Sequence, residues 1–379
     1  MVEWKRLGEI VKRNKGIPIT ASQMSELASF KGNVRVFAAG QTVADIDESL
    51  LPANCSYNKP SIIIKSRGYI DFEYYDKPFT HKNEMWSYSF DNRTLCKFIY
   101  YYLTIKTEGF RKKARANSVK LPQLCVADTD DFLIPVPSLS EQTRIVGILD
   151  TFTASIENLK QQIAQRRKQY EHYRDQLLDL EGKEGVEMKR LEDICEIKGR
   201  IGFRGYTRKD QVEKGKGAIS LSPGNIVDGN MSYDSCTYIT WAKYEESPEI
   251  MIDEGDVILC KTASVGKVAR IDKLPEKATI NPQLVVLKKL KIDSKYLNYT
   301  LQKHSIQVTL KALAGVGSVP NISQAKLGSL NIPVPFIVEQ QRIVSILDTF
   351  EAAIANLEQQ LAQREKQYEY YRNKLLTFE

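Results

Sequence analysis

Two long stretches of the chain place apolar side chains at alternating steps of four and three. The first runs through Ile145, Leu149, Phe152, Ile156, Leu159 and Ile163, then Tyr170, Tyr173, Leu177 and Leu180. The second runs through Ile343, Leu347, Phe350, Ile354, Leu357 and Leu361, then Tyr368, Tyr371, Leu375 and Phe378. Each has one polar step at the same place, Arg166 and Arg364. A sustained heptad seam of this kind predicts two long helices, each needing an apolar strip to pack on. Pro137 and Pro335 limit them on the N-terminal side, and Gly182 and Gly185 follow the first. Between the long helices the pattern is mixed. Residues 61–65, 256–260 and 283–287 predict strands, and 94–107 and 294–312 predict helices, with Gly-containing turns between them.

The two seams are copies. Residues 141–181 and 339–379 share 28 identities in 41 positions. The likeness extends back through Ile134-Pro135-Val136-Pro137 and Ile332-Pro333-Val334-Pro335, and through Lys97–Leu103 and Lys295–Leu301. Val2–Leu7 resembles Val186–Leu191. The chain is therefore a tandem duplication, in which each half is a variable domain followed by a near-constant tail. The expected architecture is α+β: variable domains at 1–140 and 186–338, with a helix and linker at 141–185 and a second helix at 339–379. If the two seams pair with each other antiparallel, a pseudo-twofold arrangement follows.

Charge separates the two kinds of segment. The chain of 379 residues carries a formal charge of +7. Residues 1–140 hold +5 (20 basic against 15 acidic side chains) and 186–338 hold +5 (22 against 17). The repeated tails are slightly acidic, at −1 for 141–185 and −2 for 339–379. A basic excess confined to the variable domains suits a polyanionic partner. Six scattered cysteines without a C-x-x-C pair read as reduced thiols of a cytoplasmic protein. No apolar run approaches a membrane span.

Catalytic signatures are missing. There is no phosphate loop of the G-x-x-x-x-G-K-[ST] type, no Pro-Pro dipeptide, and no metal-ligand spacing among His81, His172 and His304. We expect neither a catalytic residue nor a metal site. Residues suited to nucleic acid do cluster. In the first domain they are Lys65 and Arg67 after a strand, His81, Lys82 and Asn83, and the run Arg111, Lys112, Lys113 with Asn117. In the second they are Arg200 and Arg204 around a Gly-rich turn, Lys261, Thr262 and Lys267 after a strand, and Ser318 and Asn321. Arginine and asparagine read base edges, and lysine mainly holds phosphates.

The run from Pro135 to Val146, repeated at Pro333 to Val344, precedes a long heptad helix and occurs twice. This layout resembles the specificity subunit of type I restriction–modification systems, over the whole chain. The resemblance implies two target recognition domains that read a bipartite, asymmetric double-stranded DNA target. It implies antiparallel helices that space the domains and dock two methyltransferase (M) subunits, with two motor-nuclease (R) subunits joining for cleavage. It also implies a subunit with no cofactor of its own, S-adenosylmethionine, ATP and Mg2+ being held by the partners. The repeated surface residues Glu141, Gln142, Arg144, Glu339, Gln340 and Arg342 are the candidates for docking M. Two other readings stay open: a coiled-coil scaffold that binds no DNA, and the specificity subunit of a modification-only methyltransferase.

Overall fold

Ile62, Ile63 and Ile64 form an unbroken apolar run, and a computed structural model of the chain shows why. The strand Ser61–Lys65 is buried on both faces. Ile62 and Ile64 enter the core beneath the helix Arg93–Asn117, while Ile63 joins Phe37, Phe79 and Met85 on the other side. The second domain repeats this division along Val257–Cys260: Val257 and Leu259 face one cluster, Ile258 and Cys260 another. Strands covered on both sides read as continuous hydrophobic runs, not as alternation.

The structure describes residues 2–29, 31–118, 120–200, 205–315 and 318–378. It divides into two compact units, residues 1–161 with 358–379 and residues 162–357. Both boundaries fall inside the long helices Leu139–Leu177 and Ile337–Leu375.

In the first unit the strand order is Arg13–Asn14, Trp86–Ser89, Ser61–Lys65, Asp71–Tyr75, all antiparallel. A smaller sheet holds Val34–Phe37 between Val43–Ile46 and, in parallel, Phe79–His81. The second unit has the same plan. Glu196–Gly199, Leu284–Lys288, Val257–Cys260 and Val268–Arg270 form one antiparallel sheet. Gln211–Val212, Thr237–Thr240, Gly217–Leu221 and Ala278–Ile280 form the other, with a parallel pair at its end. In each unit a terminal ribbon closes the domain: Glu3–Arg6 pairs with Leu133–Val136, and Val186–Arg190 with Asn331–Pro335.

Two predicted helices differ in extent. The first runs on to Asn117, started by Asn92, whose side chain accepts the Leu95 N–H at 3.0 Å. The second breaks at Lys303 into Ser294–Gln302 and His304–Ala314. Lys303 is extended there, and its amine bonds the Leu178 carbonyl at 3.1 Å and Asp179 at 3.0 Å. One helix is thus interrupted where it caps the end of another.

Each unit contains one half of each long helix, running antiparallel. In the first, the Phe152 ring stacks on Tyr371 at 5.4 Å and Lys160 pairs with Glu365 at 3.3 Å. In the second, Tyr173 stacks on Phe350 at 5.4 Å and Tyr170 donates to Glu351 at 3.0 Å. Of the two polar steps in the seam, Arg166 lies exposed and Arg364 covers the Phe152 ring at 5.6 Å, each held by a glutamine three residues on. Neither buries a charge in the seam, and Arg364 lays its side chain across an apolar ring.

Candidate nucleic-acid interface

The same junction recurs in both units. In the first, the turn after Ser61–Lys65 is tied to the segment that follows the helix Arg93–Asn117. The Ser66 carbonyl accepts the Leu124 N–H at 2.9 Å, and the Gly68 N–H donates to the Pro122 carbonyl at 2.8 Å. Gly68 sits at φ +75°, a conformation that favours glycine. In the second unit, Ala263 N–H donates to Pro320 at 2.9 Å and Ile322 N–H to Lys261 at 2.8 Å. Asn117 braces the first junction, donating to the Gln123 carbonyl at 3.2 Å and to Asp128 at 2.9 Å. The structure therefore unites sequence clusters that lie about fifty residues apart: Lys65 and Arg67 with Asn117, and Lys261 and Thr262 with Ser318 and Asn321.

Within these clusters the side chains divide into committed and exposed groups. Lys65 pairs with Glu73 at 2.7 Å and is largely covered. Arg111 bonds Glu108 and the Ile70 carbonyl. Lys113 pairs with Asp128 at 2.8 Å. Burial alone would push the Asp128 carboxyl up, but Lys113 and the Cys125 N–H bring it below its ordinary value. Lys267 donates to the Pro223 and Ile226 carbonyls, both at 3.2 Å. Lys82 is half-buried beside Glu84. Arg67, Asn83, Lys112, Ser318 and Asn321 are exposed, while Lys261 and Thr262 are half-buried.

Four expected contacts are corrected by burial. His81 is fully buried on the strand Phe79–His81, its ring bonded to Ser87 at 3.1 Å. Burial pushes its pKa down to about 4, so it is a neutral core histidine near pH 7. Arg200 is 6 % exposed, donates to the Ile280 carbonyl at 3.2 Å and lies over the Tyr206 ring. Burial lowers its guanidinium below the usual value, and it serves as an internal strut. Gln142 and Gln340 are also buried, each donating to the carbonyl of Pro137 or Pro335 at 2.8 Å. They fasten the helix start to the preceding strand and leave no surface for a partner. Arg204 lies outside the described residues.

In the rest of the repeated strip Arg144 and Arg342 are exposed and Glu141 and Glu339 are half-buried. Arg144 makes a two-pronged pair with Glu141 at 2.8 and 2.6 Å, and Arg342 repeats it with Glu339 at 2.7 Å on both prongs. Each pair holds the Glu carboxyl below and the Arg guanidinium above its ordinary value. Beside the second lie Phe336, Ile337 and Val338, 76, 51 and 73 % exposed. Sequence reasoning overlooked Asp150 and Asp348. Lys97 and Tyr101 converge on Asp150 at 2.6 and 2.7 Å, and Lys295 and Tyr299 on Asp348 at the same distances. The repeated Lys-x-x-x-Tyr spacing in the aligned segments was the available signal. Among the described residues no His, Cys, Asp and Glu cluster could hold a metal, and no helix is long and apolar enough to cross a membrane.

Comparison with known proteins agrees with this duplicated plan. The family model for the type I restriction modification DNA specificity domain matches twice, at residues 1–166 and 183–366. The specificity subunit of the Escherichia coli type I restriction enzyme EcoR124I/EcoR124II is 31 % identical, covering 100 % of this chain and 94 % of its own. A putative type I restriction enzyme specificity subunit of Haemophilus influenzae is 25 % identical over 100 % of this chain and 96 % of its own. The crystal structure of the S subunit of a type I restriction–modification system from M. genitalium shares the fold. Its TM-score is 0.62 at 16 % identity, covering 100 % of this chain and 97 % of that one. The chain therefore belongs to the type I restriction–modification DNA specificity family, as a non-catalytic specificity subunit built from two specificity domains in tandem.

Proposed function

We propose that each variable domain reads one half of a bipartite, asymmetric target in double-stranded DNA. The observation that carries this reading is the junction formed twice on the same backbone plan with different side chains. Arg67 belongs to the first, with Lys112 on the helix that leads into it, and Lys261, Ser318 and Asn321 to the second. One scaffold with two side-chain sets suits two unlike half-sites. Direct readout needs such side chains held on a fixed backbone, and Lys112 and Lys261 supply sequence-independent affinity.

The surface pairs Glu141–Arg144 and Glu339–Arg342 dock two M subunits. Two R subunits complete a restriction complex in the cytoplasm. S-adenosylmethionine, ATP and Mg2+ bind to those partners and not to this chain. The test is reconstitution with an M subunit and S-adenosylmethionine. Methylation of adenine should appear only when both proteins are present, and at one two-part sequence. Methyl transfer by the purified chain alone, or transfer without sequence preference in the complex, would overturn the reading.

A further inference from the structure

Arg67 and Gln123 face each other across an isolated antiparallel bridge at the first junction. Thr262 and Asn321 form the corresponding bridge at the second. In both units one partner sits in the turn after the central strand, and the other stands just before a short helix, Val126–Asp130 or Gln324–Gly328. Side chains opposed across an antiparallel bridge emerge on one face as neighbours. The two bridges are thus equivalent positions carrying different hydrogen-bonding groups.

We propose that these bridged pairs are the base-reading positions, one pair for each half-site. The inference rests on the proposed DNA-reading function and adds the residues and the base chemistry. Arg67 and Gln123 are both exposed. The nearby basic residues Lys65, Arg111 and Lys113 are spent on Glu73, Glu108 and Asp128. Arg67 is instead held by its backbone, with the Ser66 carbonyl and Gly68 N–H bonded to the opposing segment. An arginine fork matches guanine O6 and N7, and a glutamine amide matches adenine N6 and N7. The first pair therefore reads a guanine next to or near an adenine.

The second pair offers different chemistry. The Thr262 hydroxyl donates to the Asn321 amide oxygen at 2.6 Å. That bond takes one of the amide oxygen's two lone pairs and leaves both N–H groups to donate. Asn321 accordingly reads an acceptor-bearing base edge in the other half-site, guanine O6 and N7, adenine N7 or thymine O4.

The experiment uses the full chain assembled with its M subunit and a panel of duplexes, each with one target position changed. Arg67→Ala should abolish discrimination at one guanine of one half-site, on the order of 10- to 100-fold, and leave the other half-site's preferences intact. Arg67→Lys should keep most of the affinity and lose the same discrimination, since an ammonium lacks the fork. Asn321→Ala should relax one position in the opposite half-site only. Equal weakening on every duplex would make Arg67 a phosphate anchor and overturn the proposal, as would unchanged discrimination. A wild-type complex with no sequence preference would instead refute the proposed function itself, so the two failures are distinguishable.

Discussion

Tyr101 donates its hydroxyl to Asp150 at 2.7 Å, and Tyr299 donates to Asp348 at the same distance. Each bond joins a helix of the variable domain to a long helix of the same unit, with Lys97 or Lys295 on the other carboxylate oxygen. The Tyr299 hydroxyl also lies 2.9 Å from Glu351 and shares its one proton between the two carboxylates, whereas Tyr101 meets the threonine at that place, Thr153, at 3.4 Å. Removing either hydroxyl should destabilise the protein, and Tyr299 should matter more. Tyr101→Phe should cost about 1.5 kcal/mol and Tyr299→Phe about 2–3 kcal/mol, from the loss of hydrogen bonds to charged groups. Denaturant unfolding of the two variants checks the order.

Gln142 and Gln340 make the same clamp with unequal completeness. The Gln340 amide oxygen accepts the Asp293 N–H at 2.9 Å, while that of Gln142 is buried without a partner. The helix Arg93–Asn117 starts earlier than its counterpart, so the corresponding Leu95 N–H is already taken by Asn92. Gln340→Leu orphans a buried N–H and a carbonyl and should cost about 2–3 kcal/mol. Gln142→Leu orphans one carbonyl but removes an unsatisfied oxygen, so it should cost less than about 1 kcal/mol. Thermal unfolding of the two variants provides the comparison.

Glu351 makes stability depend on pH. Burial raises its carboxyl above the ordinary range, more than the donors Tyr170 and Tyr299 and the nearby Lys295 lower it. A raised acid keeps its proton longer in the folded state than in the unfolded chain. Its contribution is therefore most favourable below the unfolded carboxylate pKa, and it declines as pH rises from there through the folded value. Glu351→Gln should remove that decline. The stability difference between variant and wild type should move in favour of Gln between about pH 4 and pH 7. Urea unfolding at the two pH values measures it, and a difference that does not change with pH would contradict the assignment.

The paired strips predict a docking defect separable from folding. Reversing the charge at Arg144 and Arg342 together places two like charges beside Glu141 and Glu339. Because these pairs are surface-exposed, unfolding should change little. Assembly with M should weaken by on the order of tenfold or more, because close charge pairs at interfaces carry larger couplings. Titration of labelled chain with M reads the outcome.

How much of this was legible in the sequence depended on the range of the interactions. The long helices announced themselves because Ile145 to Leu180 repeats a local period over many turns. The strand Ser61–Lys65 was legible as an apolar run, but which isoleucine faces which core was not. The break at Lys303 was invisible, since its cause is a carbonyl of Leu178 far upstream. His81 looked like a surface residue because its neighbours Lys82 and Asn83 are polar, yet the parallel pairing of Phe79–His81 with Val34–Phe37 draws it into the core. Gln123 carried no signal at all. Its role follows from the bridge to Arg67, a contact that local pattern does not encode.

The central claim is that two domains read two half-sites independently. The most direct measurement maps methylated adenines in the genome of a host carrying this chain and its M subunit, before and after residues 1–140 are replaced by the matching segment of a relative. The account predicts a two-part asymmetric target in which one half changes on replacement and the other stays the same. A target in which both halves change together, or neither does, would contradict it.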